Sequence, residues 1–252
     1  MNNPVFSTVQ STVMNENKKP GLFMKIIQKM VPGIIAASLM LLPACSLLSA
    51  DLMRQKTPVF GSEPGIPESQ VLFSDDFSAN YGGWSLTSTQ GGSSVSYAHQ
   101  GLEFIINEKD QDYWSTMPGE YSNIGVGVDA SKLGGPDDNT FGVICRYKDA
   151  ENFYAFLISS DGYYGIIKVK DGIYSLLSGK NMDYDAGIVR GLGTNRVLGI
   201  CSQDELGLFV NGKLLTIVQD PDLTEGRVGM IAGTNAAPGT DILFDNMILY
   251  QQ

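Results

Sequence analysis

The chain is poor in histidine, cysteine and charge, and each shortage excludes something. There is one histidine, His99, too few for a zinc site with several imidazole ligands. It sits in a Tyr-Ala-His-Gln-Gly stretch that reads as a turn. Charged residues make up 17% of the chain, low for a cytosolic enzyme and common among exported β proteins. Beyond residue 44 there are 13 basic against 26 acidic residues and no basic patch. Such a surface repels nucleic acid, so no nucleic-acid partner is expected. The compact apolar run from Val31 to Leu42 is too short to cross a bilayer as a helix, which takes about 20 residues. No twelve-residue window carries a sustained helical stripe.

What the chain has is β pattern. From Asn139 to Lys170, three runs rich in β-branched and aromatic residues alternate with polar turns, Asp161-Gly162 among them. Asp171-Gly172 and Asn211-Gly212 repeat that turn chemistry, whose positive φ values suit tight hairpins. About fifteen short strands can be read from Val71 to Leu249, the hallmark of a sandwich or barrel. Unequal loops favour two stacked sheets, so the expected fold is all-β, a two-sheet antiparallel jelly-roll sandwich over residues 70–252. Strict alternation over Phe141–Tyr147 puts Phe141, Val143, Cys145 and Tyr147 on one side and Gly142, Ile144 and Arg146 on the other.

The N-terminal part is organised differently. A basic stretch from Lys25 to Lys29 precedes the apolar run, as in a secretory signal. Leu42, Pro43, Ala44 and Cys45 resemble the lipobox of bacterial lipoproteins. That resemblance implies cleavage before Cys45, diacylglyceryl attachment to its sulfur, and fatty acylation (palmitate) of the new amine. Residues 1–44 are then a signal segment, with translation expected to start at Met24. Residues 45–69, with Pro58, Pro64 and Pro67 among glycines, form a tether. The expected partner of the anchor is the membrane, through the acyl chains on Cys45. The expected location is the bacterial cell envelope, at the cell membrane or the outer membrane.

A second resemblance covers nearly all of residues 70–252. It is carried by Asp75-Asp76-Phe77 and Gly83-Trp84, by Gly142–Tyr147 and Asn152–Tyr154, and by Asp161–Gly165. Leu208–Gly212, Gly226–Gly229 and Phe244–Asn246 complete it. This order resembles the concanavalin A-like lectin/glucanase superfamily in its laminin-G-like bacterial branch. The resemblance implies a jelly roll whose concave sheet binds glycans, and members often bind calcium.

Several residues carry candidate chemistry. Cys145 and Cys201 lie in exported territory; they pair as a disulfide if their strands neighbour each other, or remain two buried thiols. Trp114, Tyr147, Tyr154, Tyr163 and Tyr164, with Arg146, are the candidate ligand platform, though tyrosines are also ordinary strand material. Asp75, Asp76 and Asp245 sit on the first and last strands and offer hard oxygen donors for calcium, or simply cap turns. Glu108 to Asp112 (Glu-Lys-Asp-Gln-Asp) approaches the Glu-x-Asp-x-Glu motif of laminarinase-type glycosidases. It ends in Asp where they have Glu and falls in a polar turn, so no catalytic residue is assigned. The expected function is a non-enzymatic module on a surface lipoprotein, monomeric, binding a glycan or another envelope component. The alternatives are a glycoside hydrolase or keto-disaccharide hydrolase-like enzyme, and a purely structural envelope protein.

Overall fold

A computed structural model describes residues 67–252. The signal segment, Met24, Cys45 and most of the tether lie outside the described residues. A single 3-10 turn, Glu68–Gln70, leads into sixteen strands. They are β1 (Val71–Asp75), β2 (Thr87–Ser88), β3 (Ser94–Ala98), β4 (Gly101–Ile106), β5 (Gln111–Thr116), β6 (Ile124–Gly134), β7 (Asn139–Asp149) and β8 (Asn152–Ile158). There follow β9 (Tyr163–Lys170), β10 (Ile173–Leu176), β11 (Asp183–Tyr184), β12 (Gly193–Ser202), β13 (Glu205–Val210), β14 (Lys213–Gln219), β15 (Arg227–Thr234) and β16 (Thr240–Gln251).

These strands make two antiparallel sheets. The nine-stranded sheet runs β14-β13-β12-β6-β16-β4-β3-β2, and β1 pairs with the end of β16 that β4 leaves open. The seven-stranded sheet runs β10-β9-β8-β7-β15-β5, with β11 beside β9. Turn chemistry sets much of this register. His99-Gln100, Asp171-Gly172 and Asn211-Gly212 all have positive φ at both positions, the type I′ geometry that matches strand twist. The Asp161-Gly162 turn, expected to be a two-residue turn, is a three-residue loop. Ser159 N–H donates to Tyr163 O and Gly162 N–H to Ser159 O, and only Gly162, at φ +100, turns left-handed.

The inward faces of both sheets share one core, in which Phe104, Phe141, Phe156, Phe244, Val126, Leu208 and Met230 are fully buried. Cys145 and Cys201 are bonded, 56 residues apart in sequence. Their strands are not neighbours: β7 belongs to the seven-stranded sheet and β12 to the nine-stranded one, so the disulfide staples the layers across the core. By the chain-entropy model a loop of that length contributes about 4 kcal/mol.

Strict alternation fails in β7. Arg146 has φ +51, and the pairing with both neighbours shifts there. This is a bulge. Gly226 approaches it so closely that an added Cβ would stand 2.5 Å from the Arg146 carbonyl carbon. Beyond the bulge the faces exchange, so Cys145 faces the core while Tyr147 packs outward. Arg146 is 1% exposed. Its guanidinium donates to the carbonyls of Leu223 at 2.7 Å, Gln203 at 2.6 Å and Ser122 at 3.3 Å, tying three loops together.

Candidate functional site

The seven-stranded sheet carries a second apolar layer on its outward face. Trp114, Ile144, Phe153, Leu157, Val169 and Ile231 are buried there, with half-buried Tyr147, Ile167, Tyr174 and Met182 packed against them. Trp114, Tyr147 and Phe153 form a triangle of rings with centroids 5.8–6.4 Å apart, although their strands are β5, β7 and β8. The Trp114 indole N–H donates to the Tyr147 hydroxyl at 3.1 Å. The rings reach one another because the strands between them present small residues on this face. Gly142 and Gly229 have no room for a Cβ, which would stand 1.9 Å and 2.3 Å from neighbouring backbone oxygens.

Asp112 on β5 and Tyr174 on β10 lie at opposite edges of the sheet. Burial, and then the Asp112 charge, raises the Tyr174 hydroxyl above its usual range. Asp112 is buried, and burial pushes its carboxyl up to about 7. Its Oδ1 and the Thr140 hydroxyl both lean over Gly233, 1.9 Å and 2.9 Å from where a Cβ would be. Further along the same face, Tyr163 and Tyr184 pair across β9 and β11 and stand edge to face with centroids 5.7 Å apart.

No family model matches the chain, and no curated protein matches it. Solved structures do. A carbohydrate binding module, CBM66, from Bacillus subtilis superposes with a TM-score of 0.50 at 15% identity, covering 68% of this chain and 98% of that one. A Bacillus subtilis protein of unknown function with a galectin-like fold gives 0.55 at 13%, covering 72% and 96%. The GH43 protein BlXynB of Bacillus licheniformis gives 0.54 at 12%, covering 74% of this chain but only 40% of that one. The fold is a lectin-like β-sandwich.

In this lectin-like sandwich the sequence-derived platform divides. Trp114 and Tyr147 share the outward face of the seven-stranded sheet, and Tyr163 stands near its end. Tyr154 points inward, where its hydroxyl donates to Asp220 Oδ1 at 2.6 Å and accepts the Leu223 N–H at 3.0 Å. Tyr164 also turns to the core, its hydroxyl 3.4 Å from Leu215 O. Arg146, the cation of that candidate platform, is spent on backbone carbonyls. Phe153, Tyr174 and Asp112 were not singled out from the sequence as part of this face. A signal for the first two was present: the Asp171-Gly172 turn sets Val169 opposite Tyr174, and the next hairpin sets Phe153 opposite Val169.

The acidic candidates have other duties. Asp75 accepts the Phe77 N–H at 2.8 Å and the Trp84 indole N–H at 2.9 Å, which explains why Asp-Asp-Phe and Gly-Trp occur together. Asp76 accepts from the Ser78 N–H and hydroxyl, and Asp245 accepts the Asn246 N–H at 2.6 Å. Burial, then Asp129, Asp76 and Asp75, raises the Asp245 carboxyl above its usual range. Among the described residues no group of three Asp, Glu, His or Cys side chains is placed to hold a metal ion. Glu108 accepts from the hydroxyls of Tyr113 and Ser93 at 2.6 and 2.7 Å; Tyr113, then Ser93, holds its carboxyl below the usual range. Asp112 lies within β5, not in a turn as expected.

Proposed function

We propose that this protein is a non-enzymatic glycan-binding module of the laminin-G-like kind, carried on a bacterial lipoprotein anchored through Cys45 and displayed on the cell envelope as a monomer. The observation that carries the binding reading is the outward aromatic face of the seven-stranded sheet. Trp114 and Phe153 form its buried floor, and half-buried Tyr147 packs beside them, where an aromatic ring can meet the C–H face of a sugar. The similarity to a carbohydrate binding module supports it at the level of fold. The anchor reading rests on Leu42 to Cys45 and the basic, apolar sequence before it. Acyl chains contribute about 0.8 kcal/mol per buried CH₂, so two or three hold stably.

Both halves are open to test on the full chain expressed in a bacterium. In detergent-phase partition, the protein is expected in the detergent phase and its Cys45→Ser variant in the aqueous phase; equal partition contradicts the anchor. In affinity electrophoresis through polysaccharide gels, retardation by at least one polysaccharide is expected, and it is lost in Tyr147→Ala. Migration unaffected by every polysaccharide contradicts glycan binding.

A further inference from the structure

At the end of the outward aromatic face, β11 adds two residues to the edge of β9, setting Tyr184 opposite Tyr163. Their side chains stay in water: Tyr163 is 42% and Tyr184 49% exposed. The three-residue loop before β9 gives them a common floor. A Cβ on Gly162 would stand 2.7 Å from the Tyr184 ring and 3.3 Å from Arg190 Cδ, so ring and arginine stem both rest on that glycine. The main chain fixes the arrangement. Asp185 N–H donates to Gly162 O, and Gly191 N–H to Ser160 O at 2.8 Å, which pins both ends of the segment that carries Arg190. Asp185 is further held by Lys213 at 2.5 Å and by the Gly187 N–H at 2.8 Å.

The result is an exposed, ordered corner of two rings inclined at 71°, with an exposed guanidinium alongside. Isolated exposed aromatics are unremarkable, but two in contact on a fixed frame form a platform. A pyranose ring matches it. Its C–H face stacks on one tyrosine, and the guanidinium fork donates to a pair of adjacent hydroxyls. The charge of the corner selects further. Asp161, in the loop before Tyr163, offsets the charge of Arg190, and Lys213 is paired with Asp185, so the corner holds no surplus positive charge to draw a carboxylated sugar, while neutral hydroxyls find an acceptor in Asp161.

We propose that Tyr163, Tyr184 and Arg190 form a stacking subsite for one neutral pyranose unit of a glycan that lies along the outward aromatic face. The subsite rests on the glycan-binding reading and adds its location and the charge class of the sugar.

The test is titration calorimetry of the full chain in detergent micelles. The probes are β-1,4-linked hexasaccharides of glucose, xylose, mannose and galactose, with hexagalacturonate as the anionic counterpart. At least one neutral hexasaccharide is expected to bind, and more tightly than hexagalacturonate. Tyr184→Ala and Arg190→Ala are each expected to weaken it about tenfold, the scale of an aromatic or arginine anchor. Tyr184→Phe is expected to keep the affinity. Because these side chains are exposed, the melting midpoint should be unchanged, which separates lost binding from lost folding. Wild-type binding that both alanine variants retain overturns the subsite and leaves glycan binding standing. Tighter binding of hexagalacturonate overturns the neutral class. Failure of every hexasaccharide to bind wild type overturns the broader reading and the subsite with it.

Discussion

Asp112 shows how one buried residue couples the face to pH. Its carboxyl is held at about 7 by burial, against about 3.9 in an unfolded chain. Between those values the folded protein holds a proton that the unfolded chain has released. Its contribution to stability therefore falls as pH rises from about 4 to about 7 and is level above that. Asp112→Asn removes the ionisation and keeps the shape. The variant is expected to melt above wild type at pH 8 and to lose that advantage at pH 5. Melting curves at the two values check this; a difference between the proteins that does not vary with pH contradicts the burial account.

At the scale of the element, the bulge in β7 decides which side chains reach the face. Alternation read strictly through Phe141–Tyr147 is right as far as Cys145 and inverted at Tyr147. Nothing local in Gly-Val-Ile-Cys-Arg-Tyr announces a left-handed arginine. What holds it is distant: carbonyls from residues 122, 203 and 223 and the bare Cα of Gly226. The strands themselves were legible because β-branched runs and paired turn residues are local signals. Trp84 lies before β2, its indole N–H held by Asp75. The two-residue β11 is too short to leave a pattern. If the bulge is held as described, Arg146→Met leaves three carbonyl groups without their donor and costs about 3 kcal/mol or more. A urea titration checks this; a midpoint near that of wild type contradicts it.

At the scale of the molecule, two layers share one core, a disulfide joins them, and the seven-stranded layer has a second apolar cluster on its far side. An ordinary antiparallel sheet turns a polar face to water; here glycines let rings from β5, β7 and β8 close over that face. The all-β class was legible from turn spacing and from the missing helical stripe. The aromatic site was legible only in part, since it depends on sheet order and on which residues a bulge turns outward. The most direct test of the central claim is amide chemical-shift mapping while the protein is titrated with a hexasaccharide that it binds. The account predicts shifts concentrated in β5, β7, β8 and β9, around Asp112, Trp114, Tyr147 and Tyr163. Shifts confined to the outward face of the nine-stranded sheet would contradict it.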